Sequence, residues 1–300
     1  MKSVIKSIWQ ISKILLTHFL IIFAYTIGAG FYYGVVMGLS GKTDDIEAGV
    51  QAFLAPQTAI AVIIAALVAF LIYQRSLKKK GLNIFRVCRF NAIHKGQVLA
   101  SITMGASILF LSLLVLELVS YLLPDSYGAH VSNMESIMVA SPLIVILSVG
   151  VAAPLIEEVM FRGLVLRELE KKTSIMMAIF VQAAIFGIYH MNIAHSIMAT
   201  LVGVFLGLSL YWTGSIWAPM LIHLVNNLLS VALELSGFSV YLEANPFAFR
   251  AIQGGMAFII LPLSVFVLYR SRTVWIAGED HNEEVLASDL EPEVELAKSV

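Results

Sequence analysis

Two adjacent acids in an otherwise apolar run give the first sign of chemistry in this chain. The segment Ala153-Pro154-Leu155-Ile156-Glu157-Glu158-Val159-Met160-Phe161-Arg162 follows a stretch, 98–156, that contains neither Lys nor Arg. Ionisable groups inside a bilayer are expensive, so these need a reason. Successive helical residues point about 100° apart, so Glu157 and Glu158 cannot both face one partner. Glu158 and Arg162 are spaced i,i+4 with the acid first, the favourable order for a helical ion pair. That pairing leaves Glu157 free to face elsewhere. A second stretch, Phe186-Gly187-Ile188-Tyr189-His190, places Phe186 and His190 on one helix face. A third, His223-Leu224-Val225-Asn226-Asn227, does the same for His223 and Asn227. A carboxylate and an imidazole around one water can remove its proton and create a nucleophile, help that is typically worth ~100- to 10,000-fold. A histidine N–H and an asparagine amide can donate to the oxyanion of a tetrahedral intermediate. Blander readings stand beside these: Glu158–Arg162 as a buried structural ion pair, Phe186 as packing, and His190, His223 and Asn227 as packing or interhelical hydrogen-bond groups.

Membrane-spanning helices must position these residues. The chain of 300 residues is 59% hydrophobic and 13% charged, against roughly 25% charge in soluble domains. Apolar content this high must largely face lipid, so the fold expected is an all-α polytopic transmembrane helical bundle. About eight spans are expected from runs of ~20 apolar residues: 14–38, 52–74, 98–123, 137–160, 174–191, 196–213, 217–236 and 251–270. The run beginning near Ile11 is too long for the ~7–15-residue apolar core of a signal peptide, so it reads as a retained first helix. Cys88 is the sole cysteine, which excludes an internal disulfide, and no thiolate metal pattern is present.

Charge placement orients the bundle. Arg75, Lys78, Lys79, Lys80, Arg86, Arg89 and Lys95 lie in one loop, Arg167, Lys171 and Lys172 after the fourth span, and Arg270 and Arg272 after the eighth. With eight spans all share a side with the lysine-bearing N-terminus, while acidic residues such as Asp44, Asp125 and Glu135 fall opposite. Both termini are therefore expected in the cytoplasm. Helical rise sets depth as well. Glu157 lies 15 residues before Lys172, and His190 lies 17 residues after Thr173. At ~1.5 Å per residue they sit about 22 and 25 Å from the turn, at nearly one level. His223 and Asn227, 8 and 12 residues beyond Ser215, reach roughly 12 and 18 Å. Their match requires a tilted helix or a more deeply set turn.

In these motifs the chain resembles the CPBP family: the type II CAAX prenyl endopeptidases and bacteriocin-processing enzymes, also called the Abi family. Its pattern EExxxR, FxxxH and HxxxN appears here in order as Glu157-Glu158…Arg162, Phe186…His190 and His223…Asn227. The flanking Thr213-Gly214-Ser215-Ile216-Trp217-Ala218-Pro219 resembles the family's lead-in to the last motif. The resemblance covers about residues 140–235. It implies a glutamate-dependent intramembrane endopeptidase in which Glu157 and His190 activate water, His223 and Asn227 form the oxyanion site, and Glu158, Arg162 and Phe186 support them. Family members have also been called metalloproteases. Two histidines, a glutamate and an asparagine could hold zinc, but there is no HExxH, and no cofactor is expected.

The expected organisation is N-terminal transmembrane helices over 1–135, a catalytic core over 136–272, and an acidic, disordered cytoplasmic tail over 273–300. The expected location is a bacterial plasma membrane. The expected partners are a peptide or membrane-protein substrate and the lipid bilayer, with no nucleic acid. Two rival readings use the same residues: a non-enzymatic immunity or regulatory protein that binds a peptide or signalling partner, and a small transporter with Glu157 and the histidines as a proton relay. Glu117 stays unexplained and Glu234 reads as interfacial. His18, His94, His130, His195 and His281 are given no catalytic role, with His195 nearest the site in sequence. The Gly203…Gly207 and Gly28…Gly30 spacings read as close-packing surfaces between helices.

Overall fold

A computed structural model describes residues 2–40 and 46–273. Among these the regular structure is entirely helical, in eleven helices. They are α1 (Lys2–Leu39), α2 (Ile46–Lys78), the short α3 (Ile84–Val87), α4 (Lys95–Leu122) and α5 (Pro124–Met138). Then follow α6 (Pro142–Glu170), α7 (Ile175–Tyr189), α8 (Ile193–Thr213), α9 (Trp217–Leu235), α10 (Phe238–Ala244) and α11 (Pro246–Arg270). Asp44, Asp45 and the acidic tail lie outside the described residues, apart from Thr273. His281 does too.

Among the described residues, seven helices are long and apolar enough to cross a membrane: α1, α2, α4, α6, α8, α9 and α11. The chain is an integral membrane protein. The fifth expected span, 174–191, becomes α7, with 15 residues, or ~22 Å of rise against a ~30 Å hydrocarbon core. The chain therefore reverses early, at His190–Asn192. Helix α5 occupies the space beyond that turn. Its Ser126 accepts from the Asn192 side-chain amide at 3.1 Å and from the Ala194 N–H at 3.0 Å. The sequence reading treated 124–136 as a loop. Proline at the first position of α5 and again of α6 starts two separate helices there. The fourth span consequently begins at 142 and not 137, and runs to 170 and not 160. Helix α5 also crosses the boundary expected at 135/136.

Helix α6 is not a uniform α-helix. Residues Ile146–Ala152 and Val159–Val165 wind as π-helix, flanking an α-helical segment Ala153–Glu158. The Ala153 N–H reaches back to the Ser148 carbonyl and the Leu166 N–H to the Phe161 carbonyl, each five residues away. Pro154 has no N–H to give. The wide turn before it accommodates this without a break, and such turns recur at functional sites.

The ends of α2, α6, α8 and α11 gather at one face. Arg89 pairs with Glu170 at 2.9 Å, the Ile216 N–H donates to the Arg89 carbonyl, Asn91 donates to the Gly214 carbonyl, and the Thr273 N–H donates to the Trp212 carbonyl. The basic clusters anticipated on one side thus lie together. Gly214 ends α8 in the left-handed conformation (φ 64°) that glycine adopts freely. Helices α7 and α8 pack tightly. A Cβ on Gly203 would stand 3.1 Å from Ala183, and one on Gly207 would stand 2.8 Å from Ile179. The expectation for Gly28…Gly30 is corrected: a Cβ on Gly28 would meet nothing within 4 Å, and one on Gly30 would touch only Leu54 at 3.8 Å. Helix α1 lies at the rim of the bundle, and this stretch of it has room to spare.

Candidate active site

Three helices bring the chemistry-bearing residues to one cavity of about 350 Å³, whose walls include Glu157, His190, His223 and Asn227. Glu157 and Glu158 come from the α-helical segment of α6, His190 from the C-terminal cap of α7, and His223 and Asn227 from α9. The depth mismatch for α9 is resolved at its start. Ser215 and Ile216 are fully buried, because residues 89–91 cover the turn and bond to it. The turn is sunk below the face of the bundle, which lowers His223 and Asn227 to the level of the acids.

Glu158 and Arg162 are both fully buried, and the Arg162 Nη1 lies 3.0 Å from Glu158 Oε1. Arg162 also donates to the Gly203 carbonyl at 3.3 Å and lies over the Phe186 ring, 4.5 Å from its centroid. Glu158 does more than neutralise the arginine. The same Oε1 lies 2.7 Å from Nδ1 of His223, so an ionised Glu158 accepts an N–H from the imidazole and fixes how the ring turns. The other ring nitrogen, Nε2, then stands 3.8 Å from Glu157 Oε2. That gap is too long for a direct hydrogen bond. The Glu157 side chain is 15% exposed, whereas that of Glu158 is at zero. Of the two acids, Glu157 is the one open to the cavity.

His190 donates through Nδ1–H to the Phe186 carbonyl oxygen, 2.8 Å away, which leaves Nε2 for the cavity. Phe186 is buried between the groups, with ring centroids 4.8 Å from His190 and 5.9 Å from His223. Asn227 donates one side-chain N–H to the Val149 carbonyl at 3.0 Å, and its oxygen accepts from Asn226. Its second N–H is left over from these bonds. Val149 belongs to the first wide turn of α6, so the irregular helix supplies the acceptor that holds Asn227.

Two histidines that sequence reasoning set aside also line the cavity. The His195 ring lies against that of His190, centroids 4.1 Å apart and planes tilted by 44°, and the ring of His130 of α5 stands 5.1 Å from that of His195. Asn192 was the available signal: its side chain caps α8 by accepting from the His195 N–H at 2.9 Å, and this tight reversal carries His195 back over His190. Burial and the neighbouring His190 hold the His130 imidazole below its usual range, so it is neutral at pH 7. His18 bonds to the Tyr189 hydroxyl at 2.8 Å and ties α1 to α7. Glu117 pairs with Arg250 of α11, away from the site. Zinc takes about four donors at ~2.0–2.3 Å. Among the described residues no three His, Cys, Asp or Glu side chains are grouped to supply them.

Residues 139–229 match the family model described as type II CAAX prenyl endopeptidase Rce1-like. Through this segment the chain is similar to that family of membrane peptidases. A relative in Bacillus subtilis (strain 168), named "Putative membrane peptidase YdiL", is 30% identical over 132 residues, which cover 43% of this chain. The alignment spans 54% of that protein's length, so the chain matches about half of it. No solved structure matches the chain. The matched family segment contains all seven residues singled out above: Glu157, Glu158, Arg162, Phe186, His190, His223 and Asn227.

Proposed function

We propose that this protein is an intramembrane endopeptidase that hydrolyses a peptide bond within or near the bilayer. The observation that carries the reading is the row Glu157–His223–Glu158, with His223 Nδ1 2.7 Å from the buried acid and Nε2 3.8 Å from the cavity-facing one. A carboxylate open to a cavity, beside imidazoles held in fixed orientations, is the arrangement that general-base hydrolysis needs.

In the proposed reaction Glu157, assisted by His190, takes a proton from water as the water oxygen bonds to the scissile carbonyl carbon. The spare N–H of Asn227 faces the oxyanion that forms, joined by Nε2–H of His223 when that ring carries both protons, since Nδ1–H is held by Glu158. Collapse breaks the C–N bond, and the proton taken from water passes to the leaving amine. Water is the only co-reactant, and no cofactor takes part. Glu158, Arg162 and Phe186 hold His223 in place and keep the acid of the pair charge-balanced.

The substrate proposed is a peptide or a membrane-protein segment reached from the bilayer, with no nucleic acid involved. The location proposed is a bacterial plasma membrane with both termini in the cytoplasm, because the lysine- and arginine-rich ends lie at one face. The test compares membrane-associated peptides from cells expressing the wild-type chain with those from cells expressing Glu157→Gln at equal level. Peptides present with the wild type and missing with the variant are expected. Identical peptide sets would refute the proposal.

A further inference from the structure

The cavity that holds Glu157 also presents hydrogen-bonding side chains that the proposed chemistry does not use. Ser112 of α4, His130 of α5, His195 of α8 and Asn226 of α9 all line it. Ser112 is 3% exposed, and its hydroxyl has no hydrogen-bond partner among the described residues. Other serines of the spanning helices behave differently: Ser107, Ser209 and Ser264 each donate to a carbonyl of their own helix. Asn226 gives a side-chain N–H to Asn227, but its own oxygen is buried and accepts from none of the described residues. The His195 ring meets the rings of His190 and His130 face to face or edge-on, contacts that are not hydrogen bonds. Helix α5 brings His130 to this wall because Ser126, one helical turn earlier on the same face, fastens the helix over the α7–α8 reversal.

Packing alone gives no reason for these residue types, since an apolar side chain fills space in a membrane protein without the cost of burying a polar atom. A substrate does give one. A helical segment in the bilayer satisfies its own backbone N–H and C=O groups, and the hydrocarbon offers no replacement once it unwinds. Water can attack a peptide bond only after local unwinding exposes that bond, so the site must supply partners for the freed groups. Each peptide unit brings one donor and one acceptor. The Ser112 hydroxyl and a neutral imidazole can each donate and accept, and the Asn226 oxygen accepts. No Lys or Arg lines the cavity, so the match is to a neutral backbone and not to an anion. Met134, Met138 and Met198 complete the wall, and their flexible thioethers adapt to apolar side chains of different shape.

We propose that Ser112, His130, His195 and Asn226 form a cradle for the unwound substrate backbone beside the scissile bond. The Asn226 oxygen takes a backbone N–H, and the hydroxyl and the two imidazoles bond to the N–H and C=O groups of neighbouring peptide units. The substrate class is then an apolar segment selected for its readiness to unwind, with little demand on its side chains. This assignment rests on the endopeptidase reading, which it extends from the reacting atoms to the chain on either side of them.

The test measures binding without cleavage. The full chain carrying Glu157→Gln, purified in an uncharged detergent, is titrated against a fluorescent, end-blocked heptapeptide of alternating leucine and alanine, with empty micelles as the blank. The same peptide N-methylated at its three central residues keeps its side chains but loses the N–H donors. Saturable binding is expected, weakened at least about fivefold by N-methylation. Adding Ser112→Ala, His195→Phe and Asn226→Leu should weaken binding of the unmethylated peptide at least about tenfold and abolish the difference between the two peptides. The comparison of peptides on the unaltered wall needs no cavity mutation, so it stands even if the multiple variant misfolds. Equal affinity for the two peptides, no saturable binding, or a methylation penalty that persists in a folded multiple variant overturns the cradle. None of these readings depends on hydrolysis. Their failure beside membrane peptides that vanish with Glu157→Gln would remove the cradle and keep the peptidase, and methylation-sensitive binding beside unchanged membrane peptides would do the reverse.

Discussion

Oε1 of Glu158 lies 2.7 Å from Nδ1 of His223 and 3.0 Å from Nη1 of Arg162, so one buried oxygen anchors a cation on its own helix and an imidazole on another. This shared acceptor explains the division of labour between two adjacent acids. Glu158 is committed to structure, and its commitment turns His223 so that Nε2 meets the cavity beside Glu157. The expected outcomes below follow from that division and from the packing that maintains it.

Glu157→Gln preserves shape and hydrogen bonding but removes the base. Peptide release is expected to fall by ~100- to 10,000-fold, the usual contribution of general-base help. The thermal midpoint in detergent should stay near the wild-type value, because Glu157 is open to the cavity and its nearest recorded partner is 3.8 Å away. The check is the rate of product formation, by mass spectrometry, from a peptide found in the comparison of membrane peptides. Wild-type rates would remove Glu157 from the chemistry.

Glu158→Gln should behave differently. It leaves the fully buried Arg162 without its ion-pair partner, and breaking a buried pair from one side costs about 3–5 kcal/mol. A marked drop in thermal midpoint is expected. The double variant Glu158→Met/Arg162→Met, which removes both charges, should recover part of that stability while leaving activity low, because His223 has lost its orienting partner. A midpoint unchanged by Glu158→Gln would show that the pair contributes little to stability.

Gly187→Ala tests the α7–α8 contact. The added Cβ would collide with the Thr200 hydroxyl and the Ser196 carbonyl. A backbone carbonyl cannot move without shifting α8, so a lower thermal midpoint and reduced activity are expected together. Gly28→Ala, where a Cβ meets nothing, is the matched control and should leave both unchanged.

Cys88 lies between α3 and the start of α4, outside the spanning segments, and is 1% exposed. Burial pushes its thiol up to about 12, against smaller opposing effects from Arg167 and Arg89. The thiolate is the reactive form, so at pH 7.5 the folded protein should resist a maleimide. Full labelling is expected after denaturation. Rapid labelling of the native protein would mean that the 84–91 segment opens away from the bundle.

Cysteines introduced for Ser76 and for Gly128, in a Cys88→Ala background, should label from opposite sides of sealed inverted and right-side-out vesicles. Ser76 sits near the basic end of α2 and Gly128 on α5 beyond the α7–α8 turn. The Ser76 position is expected to face the cytoplasm. Labelling of both from one side would overturn the proposed orientation.

Much of the site was legible in the sequence because helical geometry is periodic and membranes penalise polar groups. The i,i+4 spacing alone placed Glu158 on Arg162, His190 on the Phe186 turn, and His223 in line with Asn227. The apolar runs alone dictated an all-helical bundle, and counting rise along α6 and α7 put Glu157 level with His190. What lay beyond the sequence depended on contacts between distant segments. The 15 residues of α7 looked like a full span because apolar residues continue to Tyr189, and only the Asn192 cap and its bonds to Ser126 determine where the chain reverses. Helix α5 was missed because its polar composition reads as loop when its neighbours are not known. His195 was set aside for the same reason: its contact with His190 arises from the reversal and not from any spacing on one helix. The partner of His223 is the plainest case. Periodicity names residues that share a face, but it cannot say which face of α9 meets which face of α6. That was decided by a turn buried at Ser215, which lowered His223 onto Glu158, 65 residues away along the chain.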